Sequence, residues 1–405
     1  MGNARAFRVW NKRLGLLPRF FIVNLSKGSR EGEKECVFME KDYAKEIPVN
    51  VFKFYSLTNY NIDSFINQYL YLSHPYELND LMDIRPYTLD MRNFTAERLE
   101  TLKQEAIQYF PLLKKYFNID NVDTHKEQGL YALQNLIYDS FFAFGGVISL
   151  ASKDRFNELM WSHYAKESGF MMEFVTNNLL KDCENIYKNE LFNQIMFHPI
   201  QYKPHPCSIR CTKYSSLYEI NKRNSYQKYI GWSYENEWRI VATSQQYLGR
   251  YNYYYSKRPN EFSLRRMYYS INSIMRVYLG KRFWTYDNFV VKDERIDNEN
   301  KIRKYTLQEP SSCSEKERFC LFLQFVQKLN ELKNGGINIY ISGACDCGEF
   351  KFGTDICSKD NTFNPEYYYL TRSFEKIESI NIDENIITVV YGGKHITNNS
   401  YWDEI

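Results

Sequence analysis

The 405-residue chain holds 52 Lys and Arg against 49 Asp and Glu, a formal net charge of +3, and is 44% hydrophobic, 17% aromatic and 25% charged. That balance is ordinary for a globular protein with a real core, and too weakly basic to argue for a nucleic-acid or membrane surface. Its nine irregularly spaced cysteines make no secreted disulfide framework, and no run of about 18 apolar residues is present, so a cytoplasmic protein with reduced thiols and no membrane span is expected.

In chain order, residues 1–49 stand apart by their basic composition and are expected to form a mobile tail. The first thirty hold Arg5, Arg8, Lys12, Arg13, Arg19, Lys27 and Arg30 and no acid. The charges are spread out and Pro18 interrupts them, unlike a signal peptide. An organellar presequence, a nucleic-acid-binding arm or a true start at Met39 are the alternatives. VFKFYSL (51–57) reads as a strand. NIDSFINQY places Ile62, Phe65 and Ile66 at helical spacing, with Asn61 as its cap. YLYLSHP is a short strand closed by Pro75, and ELNDLMDIRP a polar turn. Residues 94–118 predict a helix broken near Pro111, and 126–142 another. GGVISLAS is a strand, DRFNELMWSHYAKESG a short helix and turn ended by Gly169, and FMMEFV a strand. NNLLKDCENIY is a helix, IMFHPIQYKP extended, and a further helix precedes residue 230. INSIMRVYLGKRF is one more strand.

Near residue 290 a charged, turn-rich stretch marks a boundary. Beyond it, RFCLFLQFVQKLNELKN predicts a helix ended by Gly335 and Gly336, followed by strands at INIYIS and IITVVYGG. The expected fold is α+β: short mixed or antiparallel strands split by helices over residues 50–290, with a smaller C-terminal α/β extension at 291–405.

The stretch GWSYENEWRIV (231–241) carries the main chemical signal. As a strand it would put Glu235, Glu237 and Arg239 on one face and Tyr234, Trp238 and Ile240 on the other. Carboxylates beside so apolar a back need a partner or a chemical role. NELMWSHYAKESGFMMEF groups Trp161, His163 and Tyr164 ahead of Glu173, residue types suited to ligand stacking and proton transfer, or equally to core packing and helix capping. Phosphate-loop, dinucleotide, zinc-protease and nucleophile-elbow motifs are absent. His198, His205, Cys207 and Cys211 have metal-ligand chemistry but lack a matching second pair. Cys345 and Cys347, grouped with Cys357 and His395, are separated by a single residue, a poor chelate for a tetrahedral site, so no metal is expected. The run RYNYYYSKR (250–258) could stack bases, a weak nucleic-acid signal.

Four pieces together resemble a bacterial family of unknown function, DUF2971: VFKFYSL, YLSHPYELNDLMD, ELMWSHYAKESGFMMEF and GWSYENEWRI, with VYLGKRF as a closing strand, over roughly residues 50 to 285. Where the family usually reads Phe-Asn-Asp-Pro, this chain has Leu78, Asn79, Asp80 and Leu81. A looser analogy is to mono-ADP-ribosyltransferases, in the order Lys53 and Tyr55, then Tyr71 and Ser73, then Glu235 and Glu237. What that analogy implies is NAD as substrate, Glu237 stabilising an oxocarbenium ion, Glu235 acting on the acceptor, and a tyrosine stacked on nicotinamide.

The expected function is therefore a nucleotide- or NAD-using transferase or glycohydrolase, acting as a defence or toxin-like effector. Glu237, Glu235 and His163 are the candidate catalytic residues, and Tyr55, Lys53, Ser73, Asn79, Asp80, Trp161, Tyr164 and Arg239 the candidate binding residues. The alternative is a non-catalytic sensor or interaction module, whose polar residues form a structural network. The sequence leaves the oligomeric state open.

Overall fold

In a computed structural model the described residues are 22–23, 36–37, 46–80, 82–109, 111–116, 119–123, 127–143, 145–152, 155–188, 192–204, 209–210, 216–244, 265–297, 299, 301–343 and 372–396. Most of the basic tail, the run at 250–258, His205 and Cys207, Cys211, Cys345, Cys347 and Cys357 lie outside them.

The scaffold is α+β and centres on one mixed sheet of 11 strands. They are β1 (Asn50–Tyr55), β2 (Gly145–Ala151), β3 (Phe170–Val175), β4 (Phe192–Pro199), β5 (Glu237–Ser244), β6 (Ile274–Leu279), β7 (Val290–Asp297), β8 (Ile302–Leu307), β9 (Asn338–Ser342), β10 (Phe374–Asp383) and β11 (Ile386–Ile396). Their spatial order is β7-β8-β11-β10-β9-β6-β3-β1-β2-β5-β4. Neighbours run antiparallel except β6 and β9, which are parallel. The strands after residue 290 thus extend the same sheet, and the charged stretch that marks the predicted boundary forms the β7–β8 hairpin at its edge.

Three helices cover the rear face: α1 (Asn59–Ile66), α4 (Thr176–Lys188) and α6 (Cys313–Asn334). Alternation on the strands supplies the surface they need. Val51 and Tyr55, Ile148 and Leu150, and Trp238, Ile240 and Ala242 all join Ile62, Phe65, Leu179, Phe322 and Phe325 in one core. Phe65 of α1 stacks on Phe325 of α6 at 4.2 Å, so the C-terminal helix shares this core with the first one. Burial of each such aromatic side chain contributes about 1.5–3 kcal/mol. Thr58, not Asn61, caps α1, its hydroxyl accepting from the Asn61 amide. A Thr one step before the first helical turn meets the orphan amides, whereas Asn61 lies inside the turn and binds back to the carbonyl of Ser56.

The front face is covered in two separate patches. Helices α2 (Ala96–Tyr109), α3 (Glu127–Ala143) and α5 (Leu217–Ser225) pack over Val147, Met196 and Val241. The segment around Phe156, Met160 and Trp161 packs over Phe52, Phe54, Ala151, Met171 and Tyr278. A seam runs between the patches. There β1 and β2 pair only at Phe52–Ala151 and then part, and Ser73 takes up the exposed edge of β2 by bridging Val147. Among the described residues no helix is long and apolar enough to cross a membrane. Cys183, Cys313 and Cys320 are free thiols.

Candidate functional site

The stretch GWSYENEWRIV folds differently from its predicted strand. Ile230–Glu235 is a 3-10 helix, Asn236 takes a left-handed conformation at φ 42°, and the strand begins only at Glu237. Asn tolerates that backbone, and the turn is pinned by the Ser152 amide and hydroxyl, which donate to the Asn236 carbonyl at 3.0 and 2.9 Å. The kink still leaves Glu235 and Glu237 on one side. Both carboxylates reach the same ammonium, Lys228, at 2.6 and 3.1 Å.

Arg239 sits behind them, fully buried. Its guanidinium donates to Glu237 at 2.6 and 3.1 Å, to the Ser225 carbonyl at 2.9 Å, and with two nitrogens to Asp83. Burial alone would raise the Glu237 pKa, but the charges of Arg239 and Lys228 reverse this and hold it well below the usual carboxylate range. Burial would likewise depress Lys228, yet Glu237, Glu235 and Asp83 outweigh it, and its pKa is raised. Glu237, Arg239 and Lys228 are therefore held ionised, while burial pushes the Asp83 pKa up against the pull of Arg239, to which it is tied.

Glu235 is a different kind of carboxylate. Burial and the adjacent charge of Glu237 push its pKa up to about 7, against Lys228 and the Tyr164 hydroxyl. Tyr164 donates to Glu235, and burial beside that carboxylate raises its own pKa, so the phenol keeps its proton. Lys53 is the second group poised near neutrality. Burial lowers its pKa to about 8, opposed by Glu237 and Glu235, and its ammonium donates to the Ser149 carbonyl at 2.8 Å across the parted strands.

These groups surround a cavity of about 180 Å3 at the seam. Polar walls come from Lys53, Ser73, Glu77, Asn79, Asp83, Ser149, Tyr164, Lys228, Glu235 and Glu237; Phe52, Phe54, Leu78 and Met160 supply apolar ones. The space is close to that of a cavity that admits a benzene-sized molecule, about 150 Å3. A sugar or a single ring fits inside, and anything longer must extend through the mouth.

Tyr164 reaches Glu235 because its segment is not a regular helix. Trp161–Ala165 is one π-helical turn, followed by Lys166 and Glu167 in left-handed backbone at φ 53° and 59°. Single π turns relax the helical register and are common at functional sites. The helix therefore ends at Lys166 rather than at Gly169. Gly169 is instead required by a close approach of two backbones, since a Cβ there would lie 1.9 Å from the Tyr55 carbonyl oxygen.

Of the sequence-predicted residues, Glu237, Glu235, Lys53, Ser73, Asn79 and Tyr164 come together around the cavity. Arg239 sits behind it, holding Glu237. Tyr55 faces the rear core and stacks on Phe170 at 4.8 Å. Trp161 is fully buried, donates to the Arg155 carbonyl at 2.8 Å and meets Phe54 edge-on. His163 is exposed and contacts the Tyr234 hydroxyl at 3.1 Å, outside the cavity. Asp80 accepts from the Met82 amide at 2.8 Å and shapes the loop. Glu173 points elsewhere, accepting from Asn50 at 3.0 Å and Tyr278 at 2.9 Å. The residues that sequence reasoning missed are Asp83, Lys228, Ser149 and Glu77. Asp83 ends the run YLSHPYELNDLMD, but nothing in the spacing singles it out, and Lys228 stands in the unremarkable QKY before the 3-10 turn. Among the described residues no group of three or more His, Cys, Asp or Glu is placed to hold a metal ion.

Residues 160–240 match the family model described as "Protein of unknown function (DUF2971)". The DUF2971 match runs from the π turn to the ion network and takes in Tyr164, Lys228, Glu235, Glu237 and Arg239. Lys53, Ser73 and Asp83 reach the cavity from outside the DUF2971 segment, so the site is completed by chain that the match does not cover. No curated protein and no solved structure matches the chain.

Proposed function

We propose that this protein cleaves or transfers across the N-glycosidic bond of a ribosyl nucleotide, with Glu235 as its acid–base residue and NAD as the most concrete substrate. One observation carries the reading. Two carboxylates line one cavity, and their surroundings push their pKa values apart, Glu235 up to about 7 and Glu237 well below the usual range. Such pairs divide proton transfer from charge.

In this reading Glu235 takes the proton of the attacking water or acceptor hydroxyl. The new C–O bond forms at the sugar carbon, the glycosidic C–N bond breaks, and the base departs with the electron pair. Tyr164 holds the carboxylate in place, and Lys228 offsets the charge that Glu235 gains on ionising. Glu237 serves by fixing Lys228 rather than by touching the sugar, because both its oxygens already accept from Arg239. The cavity takes the ribosyl centre, and the rest of a dinucleotide would lie along the mouth by Asn79.

The test is nicotinamide release from NAD, and base release from a panel of nucleosides and nucleotides, by wild type and Glu235→Gln. Release by wild type, reduced at least a hundredfold in the variant while its melting temperature holds, supports the reading. No release and no thermal shift with any of these compounds overturns it.

The saturation of Asp83, Arg239 and Glu237 favours a second reading, a non-catalytic module whose network pins β5 to the front-face loops. It predicts that Glu235→Gln and Glu237→Gln alter stability alone.

A further inference from the structure

Two lysines enter the cavity and meet opposite surroundings. Lys228 is ion-paired with Glu235, Glu237 and Asp83, at 2.6, 3.1 and 3.8 Å. Lys53 makes no ion pair among the described residues. Among the described residues its ammonium makes one hydrogen bond, to the neutral carbonyl of Ser149 at 2.8 Å. An ammonium has three donors, so Lys53 has capacity to spare toward the space that Glu235, Glu237, Ser73, Glu77 and Tyr164 also face. It emerges between Val51 and Tyr55 of the rear core, with Phe52, Phe54 and Leu150 close by, which limits its access to bulk water.

We propose that Lys53 is a nucleophilic amine that captures a small aldehyde, or the open-chain aldehyde of a sugar, as an imine in this cavity. Apolar walls disfavour the charged amine, and a lysine desolvated in this way is the usual form of an imine-forming one. The lowered pKa of about 8 agrees. The second requirement is a group that moves protons, and Glu235 is within the same walls. The amine lone pair attacks the carbonyl carbon, the C=O π electrons move onto oxygen, and the proton that the nitrogen loses passes to that oxygen to give a carbinolamine. Proton donation from Glu235 then releases that oxygen as water and leaves the C=N bond. The cavity of about 180 Å3 restricts the partner to something no larger than a pentose. This inference rests on the amine and the cavity, not on the glycosidic reading, and stands if that reading fails.

The experiment is reductive trapping on the full chain with glycolaldehyde and cyanoborohydride at neutral pH, followed by peptide mass spectrometry. Capture at Lys53 is expected on the order of ten times faster than at exposed lysines such as Lys281 and Lys292, because a lower pKa leaves far more free amine. The Lys53 rate should follow a titration near pH 8, read on wild type, so the result does not depend on any variant folding. Glu235→Gln should slow capture at Lys53 and leave the surface lysines unchanged. Labelling of Lys53 at or below the surface rate overturns the proposal, as does a rate still climbing above pH 10. Neither outcome bears on nicotinamide release, so the two readings fail separately.

Discussion

Arg239 and Asp83 stand 156 residues apart in the chain and meet in a two-pronged ion pair beneath the floor of the cavity. The pair ties β5 to the loop after Ser73, and Glu237 is locked to the same guanidinium. Glu237, a candidate catalytic residue in the sequence, and Arg239, a candidate binding residue, are thus the charges most fully consumed by structure. Removing one member of a buried pair strands the other.

Asp83→Asn and Arg239→Met should therefore each cost about 3–5 kcal/mol, read from urea denaturation midpoints. The double variant should lose less than the sum, since the stranded charge is gone. Additive losses would show that the two residues do not act as a unit.

The two glutamates should give opposite pH slopes. Glu235 has a folded pKa above its unfolded one, so the folded state holds the extra proton, and stability falls as pH rises from about 4.5 to about 7. Glu237 is depressed in the fold, so the stability it adds is present above the ordinary carboxylate range and lost as pH falls through it and below. Glu235→Gln should flatten the slope between pH 5 and 8 and leave the protein at least as stable as wild type at pH 8. Glu237→Gln should be destabilised by about 3 kcal/mol at pH 7. Denaturation midpoints of wild type and both variants at pH 3, 5 and 8 decide this. Glu235→Gln should change the slope between pH 5 and 8 and Glu237→Gln the slope below pH 5, and variants with the wild-type slope in both windows would contradict the assignment.

Tyr164→Phe removes a donor that favours the ionised form of Glu235. The Glu235 carboxyl should then titrate at higher pH, visible as an upward shift of its side-chain carbon resonance titration. Because the phenyl ring keeps its packing, the melting temperature should change little. An unmoved titration would mean that the Tyr164 contact is incidental.

Arg372 clamps the π turn from the C-terminal part of the sheet. It donates to Glu158 at 3.0 Å, to Glu167 at 2.8 and 3.1 Å and to Ser342 at 2.7 Å, and lies 4.9 Å from the Trp161 ring. Arg372→Gln should cost about 3 kcal/mol, since Glu167 keeps its buried charge without its main partner, and should change the Trp161 fluorescence. Arg372→Lys should rescue little, because a point charge cannot reproduce the planar fork. Full rescue by lysine would reduce the clamp to simple charge neutralisation.

What the sequence determined by itself was whatever periodicity and local chemistry encode. The strand at 51–57, the interruption of the helix near Pro111, the helix ended by Gly335 and the apolar back of β5 at Trp238 and Ile240 were all legible, because alternation, helical spacing and the missing N–H and fixed φ of proline act over a few residues. Glu235 and Glu237 stood out because carboxylates beside tryptophan conflict with burial. Only the tertiary structure decided their roles. Asn236 turns left-handed and delays the start of the strand to Glu237, and Asp83 and Lys228 arrive from distant or featureless segments. The difference between a carboxylate held ionised and one poised near neutrality depends on which cations lie within about 4 Å in a low-dielectric interior. No local pattern carries that information, since the partners are neighbours only after the sheet has brought its strands together.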